Sequence, residues 1–97
     1  MTYYLLEYTL VDDYLERRAE FRAEHLGMAQ ERDDIVLAGA LADPADRALL
    51  VFRTDDQAAV EDFARNDPYV RHGLVRSWVV RRWTVVIGEG AAPALPT

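Results

Sequence analysis

A chain of 97 residues with 51% hydrophobic and 29% charged content has room for one soluble globular domain and not for two. Its formal net charge of −6 argues against a nucleic-acid partner, because a phosphate backbone repels such a surface. Cysteine is absent, which removes disulfides, thiolate catalysis and Cys-based metal centres, and all 11 cationic side chains are arginine, which removes a Schiff-base lysine.

No apolar run reaches the ~18–20 residues of a membrane span, and Met1-Thr2-Tyr3-Tyr4 lacks the basic start of a secretory signal. A cytoplasmic protein is the expectation. Tyr3 to Leu10 is aromatic and apolar and stops at Asp12-Asp13, which predicts a buried strand. Asp13 with Glu16 three residues on predicts a capping box, opening a helix that runs to about Arg32. Ile35 to Leu41 and Ala48 to Arg53 are apolar runs separated by the turn residues Asp43-Pro44-Ala45-Asp46, and they predict a strand hairpin. Thr54 with Gln57 repeats the capping signature for a second helix that ends before Pro68. Val75 to Ile87 predicts a last strand long enough to need a bulge or bend. Residues 1–88 are expected to form the single domain and residues 89–97, rich in Gly, Ala and Pro, a mobile tail.

The order β-α-β-β-α-β predicts an α+β, ferredoxin-like fold, with two helices on one face of a four-stranded antiparallel sheet. The strands are apolar on both faces, so a second copy of the sheet is the simplest cover for the other one, and a homodimer forming an α/β barrel is expected.

The chemistry concentrates in helix one. At ~100° per residue, Tyr14, Leu15, Ala19, Phe21, Leu26, Met28 and Ala29 share one half of the helical wheel, and Glu16, Glu20, Glu24 and Glu31 share the other. Arg18, Arg22 and His25 fall on the apolar half. Either the arginine stems lie along apolar surface with their heads in solvent and His25 satisfies a backbone group, or this stripe lines a pocket. Downstream, Asp67 precedes a proline and is therefore pushed to an extended conformation, where its carboxylate can project instead of capping; the alternative is a plain helix stop and turn.

Arg22-x-x-His25-Leu26, Gly39-x-Leu41, Asp67-Pro68-Tyr69-x-x-x-Gly73-Leu74-Val75 and Trp83-x-Val85-Val86 resemble, in this order, the YciI-like (YCII-related domain) family. The resemblance implies a dimeric α+β barrel and a His–Asp pair in a cleft, which falls on His25 and Asp67. The chain departs from the family's Gly-Pro-Leu at Gly39-Ala40-Leu41, from a frequent proline at Arg82 and from a small residue at His72. The latter two add charge near the expected cleft.

A branch of the family resembles a dehydrochlorinase of a chlorinated hydroxyhydroquinone, which implies proton abstraction with loss of a leaving group. In that reading Arg18 and Arg22 hold an anionic group of a small-molecule ligand, Tyr8, Tyr69 and Trp83 supply aromatic walls, and His72 adds a polar contact. No phosphate loop, serine elbow or metal-spaced histidine pair occurs, so neither a cofactor nor a metal is expected; His25, His72 and Asp67 have poor spacing for a metal. Two functions stay open: a small cofactor-independent acid/base enzyme of lyase or isomerase type acting on an aromatic or carboxylated metabolite, and a non-catalytic dimeric binding or pathway accessory module.

Overall fold

The alternation along Tyr3–Leu10 sends Tyr4, Leu6, Tyr8 and Leu10 to one face, where all four are buried in the core. In the computed structural model, which describes residues 2–88, this strand (β1) pairs antiparallel with β3 (Arg47–Arg53) on one side and β4 (Val75–Trp83) on the other. A fourth strand, β2 (Ile35–Ala40), lies outside β3 and completes the order β2-β3-β1-β4. Three helices, α1 (Tyr14–Gln30), α2 (Gln57–Asn66) and the single turn α3 (Pro68–Arg71), make the molecule α+β and fit a ferredoxin-like arrangement. The expectation of a mobile tail over 89–97 lies outside the described residues. Among the described residues no helix is long and apolar enough to cross a membrane.

Helix α2 covers the sheet closely. Val60, Phe63 and Ala64 recur at helical spacing and are all buried, and the Phe63 ring meets Phe52 of β3 edge-on at 5.4 Å. Its cap is Asp56, whose carboxylate accepts from the Ala58 amide at 3.1 Å, rather than Thr54 as predicted. The Thr54 hydroxyl is spent one step earlier, accepting from the Asp56 amide at 3.2 Å, so it is not free to cap the helix.

Helix α1 behaves differently. Tyr14 is its one buried residue, Leu15 and Leu26 are exposed, and the helix packs chiefly on α3 rather than on the strands. The predicted capping box does not form: the Asp13 side chain makes no cap bond and lies 3.9 Å from the Arg17 guanidinium instead.

One feature of the last strand corrects its reading and another agrees with it. It ends at Trp83 rather than Ile87, because Trp83 pairs with Tyr3, the first residue of β1, and among the described residues there is no further partner strand to extend along. The expected bulge is real and sits at Arg76: Thr9 pairs with Ser77 but Leu10 pairs with Val75. Downstream of it Trp78 and Val80 face the helices, while Val79, Arg81 and Trp83 share the opposite face with Leu5, Glu7, Leu37, Leu49 and Val51. Among the described residues no helix covers that second face, and Leu37 on it is 72% exposed.

Candidate active site

Because α1 packs on α3 and stands off the β2 edge, a cleft of ≈ 200 Å³ opens between it and the β2–β3 half of the sheet. The floor is made of short side chains: Ala38, Ala40 and Ala48 all point to this face, since Ala38 pairs with the buried Leu50 and Ala40 with Ala48. One wall carries Arg18, Arg22 and His25 of α1, and the inner end is closed by Tyr8, Tyr14 and Tyr69. Part of the apolar half of α1, Tyr14, Leu26 and Ala29, lines this cleft together with the three charged residues. Arg18 rests over the Tyr14 ring at 5.7 Å, and Arg22 reaches out to solvent at the rim.

At the inner end, His25 Nδ1 lies 2.8 Å from Asp67 Oδ1, joining residues 42 positions apart in the chain. Asp67 is fully buried, and its backbone (φ −64°, ψ 125°) is extended as a residue before proline should be. The expectation that the carboxylate projects instead of capping needs correction, because it does both. Oδ1 also accepts from the Tyr69 amide at 3.0 Å, capping α3, and Oδ2 accepts from the Tyr8 hydroxyl at 2.7 Å. A carboxylate that accepts at both oxygens requires the imidazole to donate from Nδ1–H. The remaining nitrogen, Nε2, which carries a lone pair when the ring is neutral, has no protein partner among the described residues.

The Tyr69 ring lies parallel to the imidazole, 4.0 Å between centroids and 12° between planes, and Tyr14 meets Tyr69 edge-on at 5.7 Å. Burial and the neighbouring Tyr14 push the Tyr69 hydroxyl above its ordinary pKa, with Arg22 and Arg18 opposing that shift. Burial first, and the Asp67 carboxylate second, hold the Tyr8 hydroxyl far above the ordinary tyrosine range, so it stays protonated.

The cap of α3 is reinforced at its other end. Gly73 adopts φ +80°, the Leu74 amide bonds the Tyr69 carbonyl at 2.9 Å and the Gly73 amide bonds Val70 at 3.3 Å, a Schellman closure that only glycine takes without strain. Arg17 then ties α1 to this turn, donating to the His72 carbonyl at 2.9 Å and the Gly73 carbonyl at 3.4 Å.

Of the residues singled out in the sequence, the cleft gathers His25, Arg18, Arg22, Tyr8 and Tyr69, and the buried Asp67 lies directly behind His25. Two lie elsewhere. His72 caps the end of α3 and stacks on Phe21 at 4.2 Å, outside the cleft, and Trp83 is on the uncovered face of the sheet. Nor do His25, His72 and Asp67 come together: among the described residues no cluster of three His, Cys, Asp or Glu is placed to hold a metal. Tyr14 and the alanine floor were not read as site residues. The signal for Tyr14 was its position one turn before Arg18, which the wheel assigned to core.

A family model described as "YCII-related domain" matches residues 1–84. Among solved structures the chain is similar to 5-chloro-2-hydroxyhydroquinone dehydrochlorinase (TftG) from Burkholderia phenoliruptrix AC1100 in complex with 2,5-dihydroxybenzoquinone, with a TM-score of 0.74 and 20% identity over 93% of this chain and 99% of that one. At that identity the likeness is one of fold. No curated protein matches the chain.

Proposed function

Because the chain belongs to the YCII-related domain family, we propose that its cleft is the active site of a small acid/base enzyme of lyase type, with His25 as general base and Asp67 as its orienting partner. The observation that carries this reading is the 2.8 Å His25–Asp67 hydrogen bond at the end of a cleft, with Nε2 left unpaired. A carboxylate on Nδ1 fixes the tautomer and stabilises the imidazolium that forms when Nε2 takes a proton. The bonding pair released from the substrate moves into its π-system and expels a leaving group with that group's own electron pair, so the substrate loses HX and no oxidant or reductant is needed. Arg18 and Arg22 offset the charge of an ionised oxygen or departing halide, and Tyr69 and Tyr14 form the aromatic end.

A flat, oxygen-rich ring or small aromatic carboxylate is the substrate class that suits a shallow alanine floor beneath a cationic rim. The dihydroxybenzoquinone held by the similarly folded dehydrochlorinase supports the same class. We read the molecule as a cytoplasmic homodimer whose uncovered sheet faces pack together. Leu5, Leu37, Leu49, Val51, Val79 and Trp83 support that packing, and more than ~1,000 Å² would be buried in a stable dimer. Light scattering of dilute protein as one ~11 kDa species would overturn the dimer.

Chloride release from 5-chloro-2-hydroxyhydroquinone and related ring compounds tests the activity. The expected result is turnover by the wild type and a loss of at least ~100-fold in His25→Asn and Asp67→Asn. No release from any compound, with 2,5-dihydroxybenzoquinone bound equally by wild type and both variants, would instead favour a binding module.

A further inference from the structure

We propose that Tyr8 is a positioning residue of this site: its hydroxyl anchors Asp67 to the central strand of the sheet and so aims the carboxylate at His25. The inference rests on the acid/base reading of His25 and Asp67 and adds a third member to that pair.

The geometry separates the two halves of the pair by how firmly each is held. His25 rides on α1, which buries one residue and stands off the sheet. Asp67 lies in the joint between α2 and α3, fully buried, and the donors to its carboxylate come from three directions: His25 and the Tyr69 amide at Oδ1, and Tyr8 at Oδ2. Tyr8 belongs to β1, one of the two inner strands, which is paired on both sides. Its ring is 1% exposed and lies beside Ala48, whose methyl leaves it room.

Packing alone would be served by phenylalanine. A hydroxyl buried at this depth costs stability unless it is bonded, and the bond it makes is to Asp67, the one buried charged residue among the described residues. Without that hydroxyl, Oδ2 would have no donor among the described residues, and the carboxylate could turn about its Cβ–Cγ bond away from Nδ1. The hydroxyl stays protonated throughout the physiological range, so it donates and does not relay protons. The other titratable or charged groups facing this part of the cleft are Tyr69, Tyr14, Arg18 and Arg22, and neither substitution below changes them.

The test uses the full chain with ¹⁵N-labelled histidine. Two changes at Tyr8 separate the donor from the ring: Tyr8→Phe removes the hydroxyl, and replacement by 3-fluorotyrosine keeps it. The His25 titration midpoint is expected to fall by at least ~0.3 pH unit with Phe, a twofold or larger change in the protonation equilibrium, because the unanchored carboxylate turns away from the imidazolium, and to fall by less than half as much with fluorotyrosine. A midpoint that holds or rises with Phe, or that falls equally with both, overturns the proposal. If Tyr8→Phe does not fold, 4-aminophenylalanine, a weaker donor of the same shape, decides: it must lower the midpoint in the wild-type background and not in Asp67→Asn, and no change, or a change that persists there, overturns the proposal. Where turnover is measurable, Tyr8→Phe is expected to lower kcat at least ~10-fold with KM changed less than ~2-fold. The NMR measurement needs no substrate, so an inactive cleft would sink the enzymatic reading and leave this result standing, and the reverse holds equally.

Discussion

The two long helices of this molecule are put to opposite uses. Helix α2 presents Val60, Phe63 and Ala64 to the sheet, buries all three, and contributes nothing to the cleft. Helix α1 is seven residues longer by its bounds, 17 against 10, yet buries Tyr14 alone and lends Arg18, Arg22 and His25 to the cleft. Covering the sheet closely and leaving room for a ligand are competing uses of one face. Here each use has its own helix, and the reactive groups ride on the element with less packing to lose.

The sharpest way to break this comparison is to truncate one apolar side chain in each helix. Phe63→Ala in α2 should cost about 3–5 kcal/mol in a urea titration, because it empties a site against Phe52. Leu26→Ala in α1, already 37% exposed, should cost less than ~1 kcal/mol. Comparable losses would mean that α1 is as much a structural element as α2.

Arginine removal gives the next effect. Arg22→Gln should weaken binding of an anionic ring such as benzoate at least ~5-fold, more than ~1 kcal/mol. Arg65→Gln in α2, whose guanidinium lies over Trp78 and beside the exposed Asp62, should leave that affinity unchanged. Isothermal titration of both variants checks the contrast.

The smallest effect concerns how α1 is tied down where it leaves for β2. Arg32 holds Asp34 through two bonds of 3.0 and 2.7 Å, and its guanidinium lies within 6 Å of both Phe52 and Phe63, at 5.8 and 5.9 Å. The Arg32 hydrogen bonds hold the Asp34 carboxyl below its ordinary value of 3.8. A carboxyl lowered in the folded state stabilises above its unfolded value and loses that contribution as pH falls through the folded one. Asp34→Asn should therefore lower stability by about 0.5–1 kcal/mol at pH 7, and the difference from wild type should close as pH falls below 3.8. Urea midpoints at neutral and acid pH measure it; a gap that widens in acid would be the wrong sign.

Much of the fold was legible because the strands alternate cleanly and the turns carry their usual residues. The His25–Asp67 pair was legible for a different reason: a histidine on an apolar stripe and an aspartate before proline each needed an explanation, and only the family resemblance joined the two. Trp83 was misplaced for a physical reason that periodicity cannot supply. Counted from the buried Val75 without interruption, Trp83 falls on the helix face, but the extra residue at Arg76 reverses the parity of everything after it. His72 was misplaced because a residue ending a single-turn helix has no face for a wheel to assign. The alanine floor escaped notice because a pocket lined by methyl groups leaves no polar signature in a sequence.

The grip of Arg17 on the turn after α3 sets how this domain can change over time. It fixes one point of α1 against the segment that begins at Asp67, and His25 follows eight positions later on the same helix. One residue inserted or lost between them would swing the imidazole by ~100° away from the carboxylate. The turn at 42–46, exposed apart from Ala45, has no such gearing to the pair. Length variation among descendants of this chain should accumulate there and be purged between Arg17 and His25, whatever their substrates become.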